Sequence, residues 1–250
     1  MKTFRIFLFI ISVVILGPFS VNGENGEHDY NYVFSDNDYG WEGLFVDYPI
    51  GSETAYQLET DYIQRPENIE GGKALFIKGR NRSDDLFMGY KKKEEGLEPN
   101  TSYKVNFSIE LLSKYPFGSI GIGGSPANSV FLKAGASKLE PEAVLKENNY
   151  YRLNIDKSNQ SGSGADMIVI GDIAKPKDGT SNYEIIERDS RRPSFRMKKP
   201  KSLIVESDIN GNIWLIFGTD SGYEGTTALY YTKFSAHFVP LTDGPNNPRN

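Results

Sequence analysis

The chain has no cysteine. It carries no disulfide framework, and a chain of this size folds on its hydrophobic core without one. An exported protein without cysteine fits a bacterial source better than an animal one, whose secreted domains are commonly disulfide-bonded. Histidine is scarce too: His28 and His237 are the two in the sequence, and they form no pair at metal-ligand spacing. No Gly-x-Ser-x-Gly elbow appears. The run Gly121-Ile122-Gly123-Gly124-Ser125 lacks the Gly-Lys-Ser/Thr ending of a phosphate loop, so its glycines are read as a turn or bulge. Basic residues are outnumbered, 28 Lys and Arg against 33 Asp and Glu, for a net charge of −5. That balance argues against a general nucleic-acid binder, which presents a basic face.

Long apolar runs are absent apart from one. Ile6 to Leu16, interrupted by Ser12, follows Lys2 and Arg5 and stops at Gly17-Pro18. It is about half the ~20 residues that a bilayer span needs. With Val21-Asn22-Gly23 before a cut, residues 1–23 read as a cleaved signal peptide. No cysteine follows the run to carry a lipid anchor. Loss of this segment removes two positive charges and takes the net charge from −5 to −7. The product is expected to be secreted, extracellular or held at a cell surface, with no transmembrane span and no nucleic-acid partner.

Aromatic residues, by contrast, are plentiful: 15 Tyr and 15 Phe, which suit pleated, half-buried surfaces. Short apolar runs recur between Gly, Asn, Asp and Pro punctuation, the spacing of a sandwich or barrel. The clearest is Ser102–Leu111, where Tyr103, Val105, Phe107 and Ile109 alternate with polar residues. Further strands are expected at Tyr30–Phe34, Leu44–Asp47, Tyr56–Ile63, Ala74–Lys78, Leu86–Lys91 and Ser119–Gly123. Others are expected at Val130–Ala134, Tyr150–Ile155, Met167–Ile173, Leu203–Glu206, Ile213–Phe217 and Leu229–Phe238. Asn210-Gly211 between two apolar runs signals a hairpin. One helical stretch is expected, Glu140–Glu147, with Pro141 near its start. The fold class is therefore all-β: a two-sheet antiparallel β-sandwich (jelly roll) with little helix. It forms one domain over residues 30–240, between a loose N-terminus at 24–29 and a flexible tail at 241–250.

The order of elements carries a resemblance. Phe34 to Trp41 is followed by Ala74-Leu-Phe-Ile-Lys-Gly79, then by Gly96-Leu-Glu-Pro-Asn-Thr-Ser-Tyr-Lys-Val-Asn-Phe107, and last by Leu229-Tyr-Tyr-Thr-Lys-Phe234. This series resembles the galactose-binding-like jelly rolls that include many secreted carbohydrate-binding modules. The resemblance implies two antiparallel sheets, a structural calcium ion near the chain ends, and binding through loops or a concave sheet face. Where that family often carries an Asp calcium ligand in the last strand, this chain has Thr232.

Candidate ligand-binding residues follow from aromatics in turns, whose faces can stack on a sugar ring. They are Tyr115 and Phe117, beside the glycine-rich stretch, and Tyr223 in Gly218–Thr226. Asp220, Glu224 and Arg80 would be their hydroxyl partners, because carboxylates and guanidinium offer paired acceptors or donors. Trp41 and Trp214 are read as core. Asp36 and Asp38 form a possible calcium pair, and Asp156–Asp166 is a second oxygen-rich loop. Acid pairs such as Asp84 with Asp220 can be drawn for glycoside hydrolysis, but sequence gives them no geometry. Arg188 to Lys201 is a basic cluster that could meet an anionic partner. Three functions stay open at this stage. The first is a non-catalytic binding module for a carbohydrate or cell-surface polymer. The second is a jelly-roll polysaccharide lyase or hydrolase, with Tyr183 beside the basic cluster. The third is a protein-interaction or adhesion domain.

Overall fold

A computed structural model describes residues 19–22, 25–83, 85–146, 148–176, 180–192, 194 and 198–241. Of the signal-peptide segment it describes only Phe19–Asn22, and of the expected tail only Leu241. Among the described residues the strands in chain order are β1 (Phe19–Asn22), β2 (His28–Val33), β3 (Glu42–Val46) and β4 (Tyr48–Pro49). A single helical turn, α1 (Glu53–Tyr56), precedes β5 (Glu59–Gln64), β6 (Lys73–Arg80), β7 (Leu86–Glu94) and β8 (Ser102–Ser113). Then come β9 (Val130–Ser137), β10 (Ala143–Leu145), β11 (Tyr150–Leu153) and β12 (Met167–Asp172). The series ends with β13 (Glu184–Asp189), β14 (Leu203–Glu206), β15 (Ile213–Ser221) and β16 (Thr226–Pro240).

Two antiparallel sheets pack face to face. The first is built around β16, which pairs with β2 and β6 along one edge and with β8 along the other. The second runs β12-β9-β15-β7-β3. Alternation assigns the inner faces, because successive side chains of a strand point to opposite sides. Tyr103, Val105, Phe107, Ile109 and Leu111 of β8 all enter the core between the sheets. At its centre Phe217 of β15 stacks on Phe234 of β16, centroids 4.7 Å apart, with Trp41 at 4.8 Å.

β16 needs a correction in mid-strand to keep its apolar side inward. Leu229 and Tyr231 are buried at odd positions, Phe234, Ala236 and Phe238 at even ones. The change of parity falls at Thr232, where the pairing with β8 shifts register. One extra residue in a bulge turns the following side chains over. The Thr232 hydroxyl fastens the bulge by donating to Glu110.

Several expectations are corrected. The segment Ser119–Gly123 is a loop, not a strand, and Ala143–Leu145 inside the expected helix pairs with β11 as a strand. Asp208–Asn212 forms a turn but no hairpin: β14 before it pairs with β8, whereas β15 after it belongs to the opposite sheet. Gly211 is required there, because it has φ +76° and an added Cβ would lie 2.0 Å from the Leu97 carbonyl oxygen. His28, expected in a loose end, is buried in β2. Trp214 faces away from the main core, half-buried, with the Lys91 ammonium 5.1 Å from its ring centroid.

The outer face of the second sheet is not open to solvent along its length. Leu44, Val46, Phe87, Met167 and Ile216 point outward from it and are roofed by Ile155 and Leu153. These two belong to a covering segment, residues 138–166, which contains β10 and β11 and forms a three-stranded sheet with β4. The candidate site lies where this cover meets the sheet.

Candidate functional site

Lys133 stands in β9 between Leu132 and Ala134, which enter the main core. Its own side chain points to the opposite face and is fully buried beneath the cover. An ammonium so placed is strongly destabilising unless carboxylates meet it. Asp220 of β15, also fully buried, does so: its Oδ2 accepts from Lys133 Nζ at 2.8 Å and from Lys157 Nζ at 2.8 Å. Lys133 Nζ donates as well to the Lys157 carbonyl, which ties the sheet to the cover's backbone. Lys157 Nζ also lies 2.9 Å from Asp47 Oδ2. Arg152 of β11 completes the network, its Nη1 donating to Asp47 Oδ1 at 2.6 Å and to Asp85 Oδ2 at 2.9 Å. Asp47 is held by the junction of β3 and β4, its N–H donating to the Tyr151 carbonyl at 2.7 Å, and Asp85 by the residue before β7.

The cluster distributes charge unevenly. Burial pushes the Asp85 carboxyl up to about 6, with Asp47 and Asp220 adding to the effect and Lys157 and Arg152 opposing it. Burial pulls Lys133 below its ordinary value, although Asp220 opposes the shift. At Lys157 burial also works against the charge, but Asp220 and Asp47 outweigh it and the ammonium is held above its usual range. The carboxylates of Asp47, Asp85 and Asp220 lie within 4.8 Å of one another, close enough for a triad that could hold a metal ion.

Above this floor opens a cleft of about 400 Å³. It is lined by Asp47, Asp85 and Arg152 together with Asp156, Lys157, Ser158 and Asn159, and Leu153 and Ile155 add the apolar part of the lining. The loop that carries Ser158 and Asn159 is braced from within. Asp156 accepts the backbone N–H groups of Ser158 and Ala165, both at 2.8 Å, and these bonds hold its carboxyl below the usual carboxylate range. Asp166 Oδ2 in turn accepts the Asp156 N–H at 2.7 Å. The oxygen-rich loop thus uses these carboxylate oxygens on its own backbone.

The residues singled out in the sequence are placed as follows. Tyr115 is a core residue whose hydroxyl accepts from the Ala228 N–H at 2.9 Å. Tyr223 is half-buried and lies across Gly121, whose added Cβ would come 2.5 Å from its ring. Phe117 is 37% exposed and lines a different cleft, of about 520 Å³, with Ile185 and Arg188. Of the three rings, Tyr115 lies in the core within electrostatic reach of Tyr223, and Phe117 lines the separate cleft. Glu224 is half-buried next to Tyr223, and Arg80 is exposed opposite Thr226 in the β6–β16 pairing. Asp220 belongs to the buried network and not to the loop surface. Asp36 and Asp38 are exposed in a turn, accepting from the Ser35 hydroxyl at 2.6 Å and the Gly40 N–H at 3.0 Å respectively. Asp84 lies outside the described residues; its neighbour Asp85 is the residue that faces Asp220. In the basic cluster, Arg188 donates to the Ala174 carbonyl at 2.5 Å, Arg191 pairs with Asp189 at 2.8 Å, and Lys201 donates to Ser163 at 2.9 Å. Lys198 and Lys199 are exposed, and Pro193 and Arg196 lie outside the described residues.

No protein-family model and no curated protein matches the chain. Solved structures do match, 52 chains in all. Among them are several carbohydrate-binding modules, and also a viral VP2 subviral particle and a glycoside hydrolase domain. One comprises the CBM22-1 and GH10 modules of a Clostridium thermocellum endo-1,4-β-D-xylanase complexed with xylohexaose, at 15% identity and a TM-score of 0.38. That match covers 82% of this chain and 27% of the xylanase chain, so this chain spans about a quarter of it. A second is a CBM61 module in complex with β-1,4-galactotriose, at 7% identity and a TM-score of 0.35, covering 79% of this chain and 87% of that one. A third is a CBM28 module specific for non-crystalline cellulose, at 14% identity and a TM-score of 0.30, covering 80% and 89% of the two chains. At these values the likeness says nothing about which residues bind or what they bind.

Sequence reasoning missed Asp47, Asp85, Lys133, Arg152 and Lys157. One signal was available: a lysine inside Val130-Phe-Leu-Lys-Ala-Gly-Ala136 interrupts a run otherwise free of charge. A charge in such a run requires a buried partner elsewhere in the chain.

Proposed function

We propose that the protein is a secreted, non-catalytic carbohydrate-binding domain, and that its ligand seats in the cleft between the covering segment and the loops bearing Asp47 and Asp85. A sugar offers vicinal hydroxyls, which suit guanidinium, carboxylate and amide groups, and an apolar C–H side, which suits aliphatic surface. Arg152, Asp85 and Asn159 line the same solvent-open cleft as Leu153 and Ile155, and this combination carries the proposal. Arg152 and Asp85 are held in place by the ion network, so little ordering of these two is left to occur on binding. A cleft of about 400 Å³ takes a short stretch of oligosaccharide, not a whole chain.

The arrangement of the acids supports the non-catalytic part. Glycoside hydrolysis uses two carboxyl groups on either side of the scissile bond, about 5 to 9.5 Å apart. Here Asp47, Asp85 and Asp220 are each paired with a cation at 2.9 Å or less and so are committed to the ion network.

The test is a glycan array followed by isothermal titration calorimetry on the exported protein. Asn159→Ala and Arg152→Ala should weaken binding by about 3- to 10-fold each, the worth of one or two hydrogen bonds. Asn159 is exposed, so that variant should melt like the wild type. Absence of binding to every glycan, or unchanged affinity in both variants, would remove the proposal. Release of reducing ends or of an unsaturated product would replace it with an enzyme.

A further inference from the structure

The acidic triad under the cleft satisfies the distances for a metal ion, and calcium is the cation that the family resemblance implies near the chain ends, away from this triad. The residues around the triad do not fit such an ion. We infer that Lys157 and Lys133 take the position and supply the charge that a divalent cation would, so that the cover is fastened to the sheet without calcium. This inference concerns the cover and its floor and holds whatever the cleft above binds.

Position is the first ground. Lys157 Nζ bridges Asp220 Oδ2 at 2.8 Å and Asp47 Oδ2 at 2.9 Å. A calcium ion sits about 2.3–2.6 Å from each of its oxygens, so one bound to these two would fall in the place the ammonium fills. Charge is the second. Asp47, Asp85 and Asp220 are matched by Lys133, Lys157 and Arg152, each within 3 Å of a carboxylate oxygen. An added divalent ion would leave the network with two uncompensated positive charges in a desolvated place, where such charge is most destabilising. Escape is the third. The Lys133 side chain has no exposure to water, so a metal on Asp220 would leave its ammonium buried without a carboxylate. Donor supply is the last. Calcium takes six to eight oxygens. Asp47 Oδ2, Asp85 Oδ1 and Asp220 Oδ1 are buried without a hydrogen bond, but Asp47 Oδ2 is ion-paired with Lys157 Nζ at 2.9 Å and the nearby Lys157 carbonyl is already held by Lys133 at 2.8 Å.

The fastening joins separate parts of the chain. Arg152 and Lys157 come from the cover, Asp47 and Asp85 from the rim of the sheet, and Asp220 and Lys133 from its interior. An ammonium on a flexible stem can do this in any medium, whereas a metal clasp would open under chelation.

The experiment is thermal unfolding of the full chain in millimolar calcium chloride and in EDTA, with calcium titrated calorimetrically in parallel. The wild type should melt within about 1 °C in both, because a ligand that does not bind shifts no equilibrium, and no heat of calcium binding should appear. A rise of several degrees in calcium, or stoichiometric binding lost in Asp220→Asn, would overturn the inference. Lys157→Met vacates the bridging position and leaves an excess carboxylate. It should melt lower than the wild type in EDTA and recover part of the loss in calcium. Lys157→Met combined with Asp220→Asn should lose that recovery. If Lys157→Met responds to calcium no more than the wild type, or stays unfolded with and without it, the lysine is not standing in for a cation and the inference fails.

Discussion

Asp220 shares one oxygen between two ammonium groups and has no contact with water. Replacing it with Asn leaves Lys133 and Lys157 buried beside a neutral amide. Such a loss costs about 3–5 kcal/mol, because the stranded charge is more costly than the pair was stabilising. Chemical denaturation of Asp220→Asn should show a loss of that size, and a loss below about 1 kcal/mol would mean the lysines find water. Asp85 should behave in the opposite way. Its carboxyl is raised from 3.8 to about 6, so between those values the folded state binds a proton that the unfolded state releases. Stability therefore falls as pH rises through this window, by at most roughly 3 kcal/mol, and is flat for this group above it. Asp85→Asn should lack the decline. It should be more stable than the wild type at pH 7 and no more stable near pH 4, as read from melting curves across the range. A variant less stable than the wild type at pH 7 would show that the bond to Arg152 outweighs the burial of the charge.

At the scale of elements, β16 shows what alternation alone can and cannot reveal. The sequence marks a single strand over Leu229–Phe238, but its buried residues change parity within it, and the shift at Thr232 reconciles the two halves. Inserting one alanine after Thr232, beside the bulge, would turn Lys233, Ser235 and His237 inward and Phe234, Ala236 and Phe238 outward. The expected result is no folded protein by near-ultraviolet dichroism, whereas Thr232→Val, which keeps the residue count, should cost about 1 kcal/mol for the lost hydrogen bonds. Equal behaviour of the two variants would show that the bulge does not set the register. The long alternating strands β8 and β16 were legible because burial on one face writes a period of two into the sequence. The Asn-Gly turn misled because its local geometry is that of a tight turn whether the chain stays in one sheet or crosses to the other. The cover strand Ala143–Leu145 was misread as helix because it is exposed and short, with no buried face to write a pattern.

On the scale of the whole molecule, the sandwich was readable and the site was not. Aromatic strands and turn punctuation mark two layers without reference to pairing. Asp47, Asp85, Lys133, Arg152, Lys157 and Asp220 come from separate elements and meet only when β9, β15, β7 and β3 lie side by side beneath the cover. No local spacing announces such a cluster. The aromatic turns that attracted attention were instead drawn partly into the core, as Tyr115 was, because a tyrosine hydroxyl bonded to backbone is as content inside as out. The site that results is built on the covered face of the sheet, at the edge where the cover stops.

Nuclear magnetic resonance mapping of the protein, titrated with the oligosaccharide that an array selects, tests this account most directly. The amides of Leu153 to Asn159, together with those of Asp47 and Asp85, should shift first and most. Shifts gathered instead around Phe117, Tyr223 and Arg188, with Leu153 to Asn159 unmoved, would contradict it.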